Sequence, residues 1–156
     1  MSTDIKKEFW DRLEDTRAGM LSTGSAPAVP MSHYADDDGG PIWFISAKGT
    51  DLVQSAVQAT PAQYIISSAN EGLYARIDGT LTCVTDPAQL DKLWGAIAAA
   101  WFEDGKQDDD VQLMRFDPKE AEVWTTGGTL QFLYEITKAN VQDEMPDIGK
   151  HGKITF

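Results

Sequence analysis

The stretch at residues 73–85 constrains the fold most. Leu73, Ala75 and Ile77 alternate with Tyr74, Arg76 and Asp78, and Gly79 interrupts the pattern. A period of two with one apolar face is the mark of a strand covered on one side. Segments of similar character stand close by, at 19–24, 28–34, 42–47 and 63–69. Glycine, aspartate and proline separate most of them, and the gaps are short. A parallel crossover needs about a dozen residues or more, whereas antiparallel neighbours can be joined by a tight turn. The pattern therefore predicts a small antiparallel barrel rather than a parallel sheet.

Three helices attach to these strands. Ile5, Phe9 and Leu13 recur every fourth residue among charged neighbours, which predicts a helix over 3–17 with Thr3 or Asp4 as its cap. Thr50 reads as the cap of a short helix carrying Leu52, Val53, Ala56 and Val57 and ending before Pro61. Asp86-Pro87 starts a longer one, whose stripe runs through Leu90, Leu93, Trp94, Ile97 and Trp101. Pro30 must lie at an edge or a bulge, where its missing N–H costs nothing. Residues 36–41 read as a turn. Beyond the third helix, strands are expected at 111–116 and 121–126 with a turn at Asp117-Pro118, and a last strand at 130–137. From about 140 to 156 the apolar content is too low to place an element. No repeat or linker divides the chain, so residues 1–156 read as one domain.

Charge narrows the function. The formal net charge is −12, from 25 acidic and 13 basic residues. No basic footprint for nucleic acid or an anionic membrane is present beyond Lys6-Lys7. The opening residues form no apolar signal segment and no run is long enough to span a bilayer. The single cysteine, Cys83, fits a reducing compartment, and the expectation is a cytoplasmic protein. Neither Asp36-Asp37-Asp38 nor Asp108-Asp109-Asp110 has calcium-loop spacing, and His33 and His151 stand far apart, so no metal site is expected. Cys83 reads as a small buried hydrophobe, and no serine sits in a nucleophile elbow. No catalytic acid, base or nucleophile emerges.

Two groups of residues carry a family resemblance. The first is Pro30-Met31, then Ile42-Trp43-Phe44-Ile45-Ser46, then Gly49-Thr50-Asp51-Leu52-Val53. The second is Leu93-Trp94 leading to Trp101-Phe102, Gly105 and an acidic loop, followed by Leu113, Arg115 and Glu122-Val123-Trp124. Together they resemble the general stress protein 26-type branch of the pyridoxamine 5'-phosphate oxidase family, which are FMN-binding split barrels. The resemblance implies a mainly β (α+β) fold, a six-stranded antiparallel split barrel with flanking helices, forming a homodimer.

It also implies a site. Pro30 and Met31, which follow Val29 at the cofactor-binding segment, would lie with their backbone along the isoalloxazine edge, with Phe44 and Ile45 as apolar wall. Ser46 and Thr50 would offer hydroxyls to the ribityl chain or phosphate, and Trp101 would come from the second subunit. Two basic positions of the family pattern are missing: Val29 stands for the arginine before Pro-Met, and Asp51 for the base after Thr50. Charge-assisted donors are roughly twice as strong as neutral ones, so this loss is worth on the order of a hundredfold in affinity. Lys48 is the replacement that the loop offers, with Arg76 a second candidate. The implied function is a flavin-binding, stress-related protein, a flavin-dependent oxidoreductase of unknown substrate using FMN, with FAD possible. The alternative is a non-catalytic flavin carrier or sensor, or a barrel that has lost flavin. True pyridoxamine phosphate oxidase activity is not expected, since the tail Asp147 to Phe156 does not match that enzyme's basic, histidine-bearing motif.

Overall fold

The computed structural model describes residues 2–35, 39–100, 102, 104–105, 108–127, 137 and 149–156. The elements run α1 (Ser2–Asp15), β1 (Ala18–Thr23), β2 (Val29–Ser32), β3 (Tyr34–Ala35), β4 (Ile42–Ala47), α2 (Asp51–Ser55) and β5 (Thr60–Ser68). There follow β6 (Leu73–Val84), α3 (Pro87–Leu93), α4 (Ala96–Ala99), β7 (Val111–Thr125) and β8 (Lys150–Thr155). The strands form one antiparallel sheet in the order β2-β1-β5-β6-β7-β4-β3, with β8 on β7. It curls until its two ends, β2 and β3–β4, face one another, which makes a split barrel. No helix among the described residues is long and apolar enough to cross a membrane.

Among the described residues the split barrel has eight strand segments, where the resemblance implied six strands. His33 turns inward and divides the second hairpin arm into β2 and β3, and the C-terminal residues supply β8. There Ile154 is buried, and Phe156 packs edge-on against Phe9 and Trp10 with centroids 5.6 Å from each. The expected strand at 130–137 lies outside the described residues except for Thr137, which is helical.

The turn expected at Asp117-Pro118 does not form. One edge of β7 is covered by β6 from Leu113 to Thr125. Its other edge passes from β4, which pairs through Phe116, to β8, which pairs from Glu120. Pro118 sits in that handover, where a missing N–H breaks no ladder on the vacant side. Opposite it the register of β6 shifts between Asp78 and Gly79. A Cβ at Gly79 would come 2.3 Å from the Asp117 carbonyl oxygen, which is why only glycine fits.

The first helix buries Ile5, Phe9 and Leu13 as its period demands, but it begins at Ser2, so Thr3 and Asp4 lie within its first turn. Thr50 caps α2 through Val53 N–H at 3.3 Å, and Asp86 caps α3 through Gln89 N–H at 3.1 Å. Val57 falls beyond α2 and is 63% exposed. The third helix is interrupted: Trp94 is extended (φ −67°, ψ 128°), α4 follows Gly95, and α3 buries none of its residues. Leu90, Leu93 and Trp94 are half-buried, and Trp94 leans on Phe102 at 5.9 Å.

Candidate functional site

A cleft of about 330 Å³ opens where the two ends of the curled sheet face each other. Edge strand β2 supplies Pro30, Met31 and Ser32, and β3 supplies Tyr34. Ile45, Ser46 and Ala47 come from β4, and Thr50 from the cap of α2. Ala98, Phe102 and Asp110 close one side. Pro30 is tolerated because β2 has only one partner, β1, where Pro30 stands opposite Met20.

Behind the β2 wall is a buried polar pair. His33 Nε2 lies 2.9 Å from the Leu13 carbonyl oxygen and Nδ1 lies 2.6 Å from the Tyr64 hydroxyl. The same hydroxyl is 3.0 Å from the carbonyl of Met31. A carbonyl only accepts, so in the neutral ring Nε2 carries the imidazole proton, and the single Tyr64 hydroxyl proton is shared between His33 Nδ1 and the Met31 carbonyl. Burial pushes the imidazole below its usual range, against the pull of the Leu13 and Thr16 carbonyls, so the neutral form is the one described. This pair ties β2 to α1 and β5 and fixes the backbone from Met31 to Tyr34.

The lining is apolar with a few neutral hydroxyls. Burial raises the Tyr34 phenol, which keeps it protonated as a donor. Thr50 is already committed: its hydroxyl donates to the Ala47 carbonyl at 2.9 Å while accepting from Val53 N–H. Asp110 is the only formally charged side chain among the described lining residues. Its backbone is fixed by Lys48 N–H donating to its carbonyl at 2.9 Å and by its own N–H donating to Asp108 Oδ1 at 2.9 Å.

Of the residues expected at a site, Pro30, Met31, Ile45, Ser46 and Thr50 meet in this cleft. Three others are described elsewhere. Phe44 is fully buried in the barrel, edge-on to Tyr64 at 4.9 Å and Phe116 at 6.3 Å, so its ring is core and not cleft wall. Val29 precedes the lining and is 38% exposed, and the Lys48 side chain is exposed outside it. Trp101 lies outside the described residues. Arg76 is on the outer sheet face, paired with Glu122 at 2.6 Å, and is not available to the cleft. Glu122 is held below the usual carboxylate range, first by its hydrogen bond from His151 and then by Arg76.

Sequence reasoning missed Ser32, Tyr34, Ala47, Ala98, Phe102 and Asp110 as cleft residues. The first two flank the inward His33, and alternation about that residue places them together. Cys83 packs against α2 with its thiol 3.5 Å from the Val53 carbonyl, and burial raises its pKa, as suits an inert thiol.

Comparison with known proteins decides the family. The family model described as pyridoxamine 5'-phosphate oxidase like matches residues 4–147. The chain belongs to the pyridoxamine 5'-phosphate oxidase-like family. It is similar over its whole length to a crystal structure assigned to general stress protein 26 of Jannaschia sp. CCS1, at 48% identity, full coverage of both chains and a TM-score of 0.93. A general stress family protein of Xanthomonas campestris pv. campestris is 35% identical over 82% of this chain and 91% of its own, with a TM-score of 0.74. The general stress FMN/FAD binding protein of Xanthomonas citri is 35% identical over 79% of this chain and 89% of its own, with a TM-score of 0.72. No curated protein matches.

The cleft of this pyridoxamine 5'-phosphate oxidase-like protein fits one part of FMN and not another. Met31, Ile45, Ala47 and Phe102 suit a planar ring, and the hydroxyls suit a polyol chain. The phosphate would find no cation among the described lining residues, where Asp110 carries the one formal charge.

Proposed function

We propose that this protein binds a flavin in the cleft between β2–β3 and β4, as a member of the general stress branch of its family. The observation that carries the reading is the lining itself: apolar walls from Met31 and Ile45, with the hydroxyls of Ser32, Tyr34 and Ser46 between them. A volume of about 330 Å³ lies within the range of about 300–1,000 Å³ for small-molecule sites. The general stress protein of Xanthomonas citri, 35% identical, is named for FMN/FAD binding, and its likeness supports the same ligand class here.

A bound flavin supplies hydride and electron chemistry; the chain supplies walls that orient the ring and keep water from one face. We read the protein as a flavin-dependent oxidoreductase of the cytoplasmic stress response. No histidine, lysine or cysteine is among the described lining residues, which favours a flavin carrier or sensor as the second reading. Pyridoxamine phosphate oxidation is disfavoured, because no β8 residue reaches the cleft and His151 stacks on Trp124 at 4.9 Å.

The protein acts as a homodimer in this reading. Met20, Val29 and Ile65 are large, exposed and near one another: Met20 pairs with Ile65 and Leu21 with Val29. A second copy would cover them and wall the open side of the cleft, which sedimentation velocity tests against the 17.1 kDa monomer mass. Flavin binding is tested by fluorescence-quenching titration of the wild type and of Ala47→Phe, which fills the cleft. Saturable binding lost in the variant is expected; equal binding by both would place the flavin elsewhere.

A further inference from the structure

We propose that the cleft selects a flavin without a phosphate, taking riboflavin in preference to FMN or FAD, and that Asp110 is the discriminating residue. The proposal rests on the flavin reading above and goes on to name which flavin the site accepts.

Four observations converge on it. First, Asp110 is the one residue with a formal charge among the described lining residues. Second, the Thr50 hydroxyl has its proton on the Ala47 carbonyl, so it has nothing left to donate to a phosphate oxygen. Third, α2 begins with the carboxylate-bearing Asp51, and two of its first-turn amides are taken: Val53 N–H by Thr50 Oγ1 and Gln54 N–H by the Thr50 carbonyl at 3.0 Å. Fourth, Lys48 does not line the cleft, and its carbonyl accepts from Gln54 Nε2 at 2.8 Å, which holds the loop in that arrangement.

What remains is suited to an uncharged polyol. Ser32, Tyr34 and Ser46 give neutral donors and acceptors, and a carboxylate accepts well from a sugar hydroxyl. A phosphate monoester carries about −1.5 to −2 charges at neutral pH, and the pyrophosphate of FAD is also anionic, so both meet the Asp110 charge unpaired. Because Asp110 is exposed, water and salt weaken the repulsion, and the discrimination expected is on the order of tenfold, about 1.4 kcal/mol.

The test is a fluorescence titration of the intact protein with riboflavin, FMN and FAD at low and high salt, repeated on Asp110→Asn. That side chain is exposed and the backbone bonds of residue 110 are retained, so the variant keeps the fold, which circular dichroism checks. The expected result is riboflavin bound about tenfold more tightly than FMN, with the gap closing in the variant and at high salt. FMN bound as tightly as riboflavin, or more so, would overturn the selectivity while leaving the flavin site standing. A gap that persists in Asp110→Asn would overturn the assignment to that residue. Failure of all three flavins to bind would overturn the flavin reading, and the selectivity with it.

Discussion

Replacing Tyr64 by phenylalanine isolates the pair that holds β2 in place. The ring of Tyr64 is fully buried, edge-on to Phe44 at 4.9 Å and to His33 at 5.5 Å, and phenylalanine preserves that packing. Only the hydroxyl is lost. His33 Nδ1 and the Met31 carbonyl, 2.6 Å and 3.0 Å from it, then lose the proton they share, and His33 is only 8% exposed. Stranding a buried polar atom costs about 1–3 kcal/mol, and a value of about 2 kcal/mol is expected for Tyr64→Phe. For a chain of this size, about 2–4 °C per kcal/mol converts that to a fall in melting temperature of about 4–8 °C. Urea denaturation should give the same loss with an unchanged m value, since the surface exposed on unfolding is the same. Met31 belongs to both the pair and the cleft, so riboflavin affinity should fall several-fold as well. A stability loss below about 0.5 kcal/mol would refute the reasoning, because it would mean that water or another group satisfies His33.

Three further outcomes are expected. Gly79→Ala should destabilise by about 1–3 kcal/mol in chemical denaturation, because the new methyl meets Asp117 backbone and not a side chain that can move aside. Stability should also fall as pH drops through the ordinary histidine value of 6.5, since the unfolded chain takes up a proton that buried His33 resists, and should level off below the depressed folded value. Denaturation near pH 7.5 and pH 5.5 measures this, and His33→Gln should show a smaller slope than the wild type. Ile45→Ala should weaken riboflavin binding with little loss of stability, whereas Phe44→Leu should lower stability by about 1 kcal/mol and leave binding unchanged, as titration and melting of both variants would show.

The strands were legible where one face is dry and the other wet. Residues 73–78 alternate so regularly that burial of Leu73, Ala75 and Ile77 follows from period alone. Caps were equally readable, because Thr50 and Asp86 act through their own side chains. The continuity of β7 through Asp117-Pro118 was not legible. It depends on β4 and β8 sharing one edge of the strand, which no local signal encodes. Phe44 was misplaced for a related reason: an aromatic in a strand between two half-buried residues has two faces to choose from, and the barrel interior took it. The cleft was legible as a set of strand segments. Its charge was not, since Asp110 lies far along the chain from Met31 and Thr50 and joins them only when Lys48 N–H binds its carbonyl.

Whether the cleft beneath Met31 and Ile45 is a flavin site is answered by a crystal structure of the protein grown with saturating riboflavin. The tricyclic ring is expected between β2–β3 and β4, against Met31 and Ile45. A cleft that stays free of flavin, or a flavin bound on another surface, would contradict it.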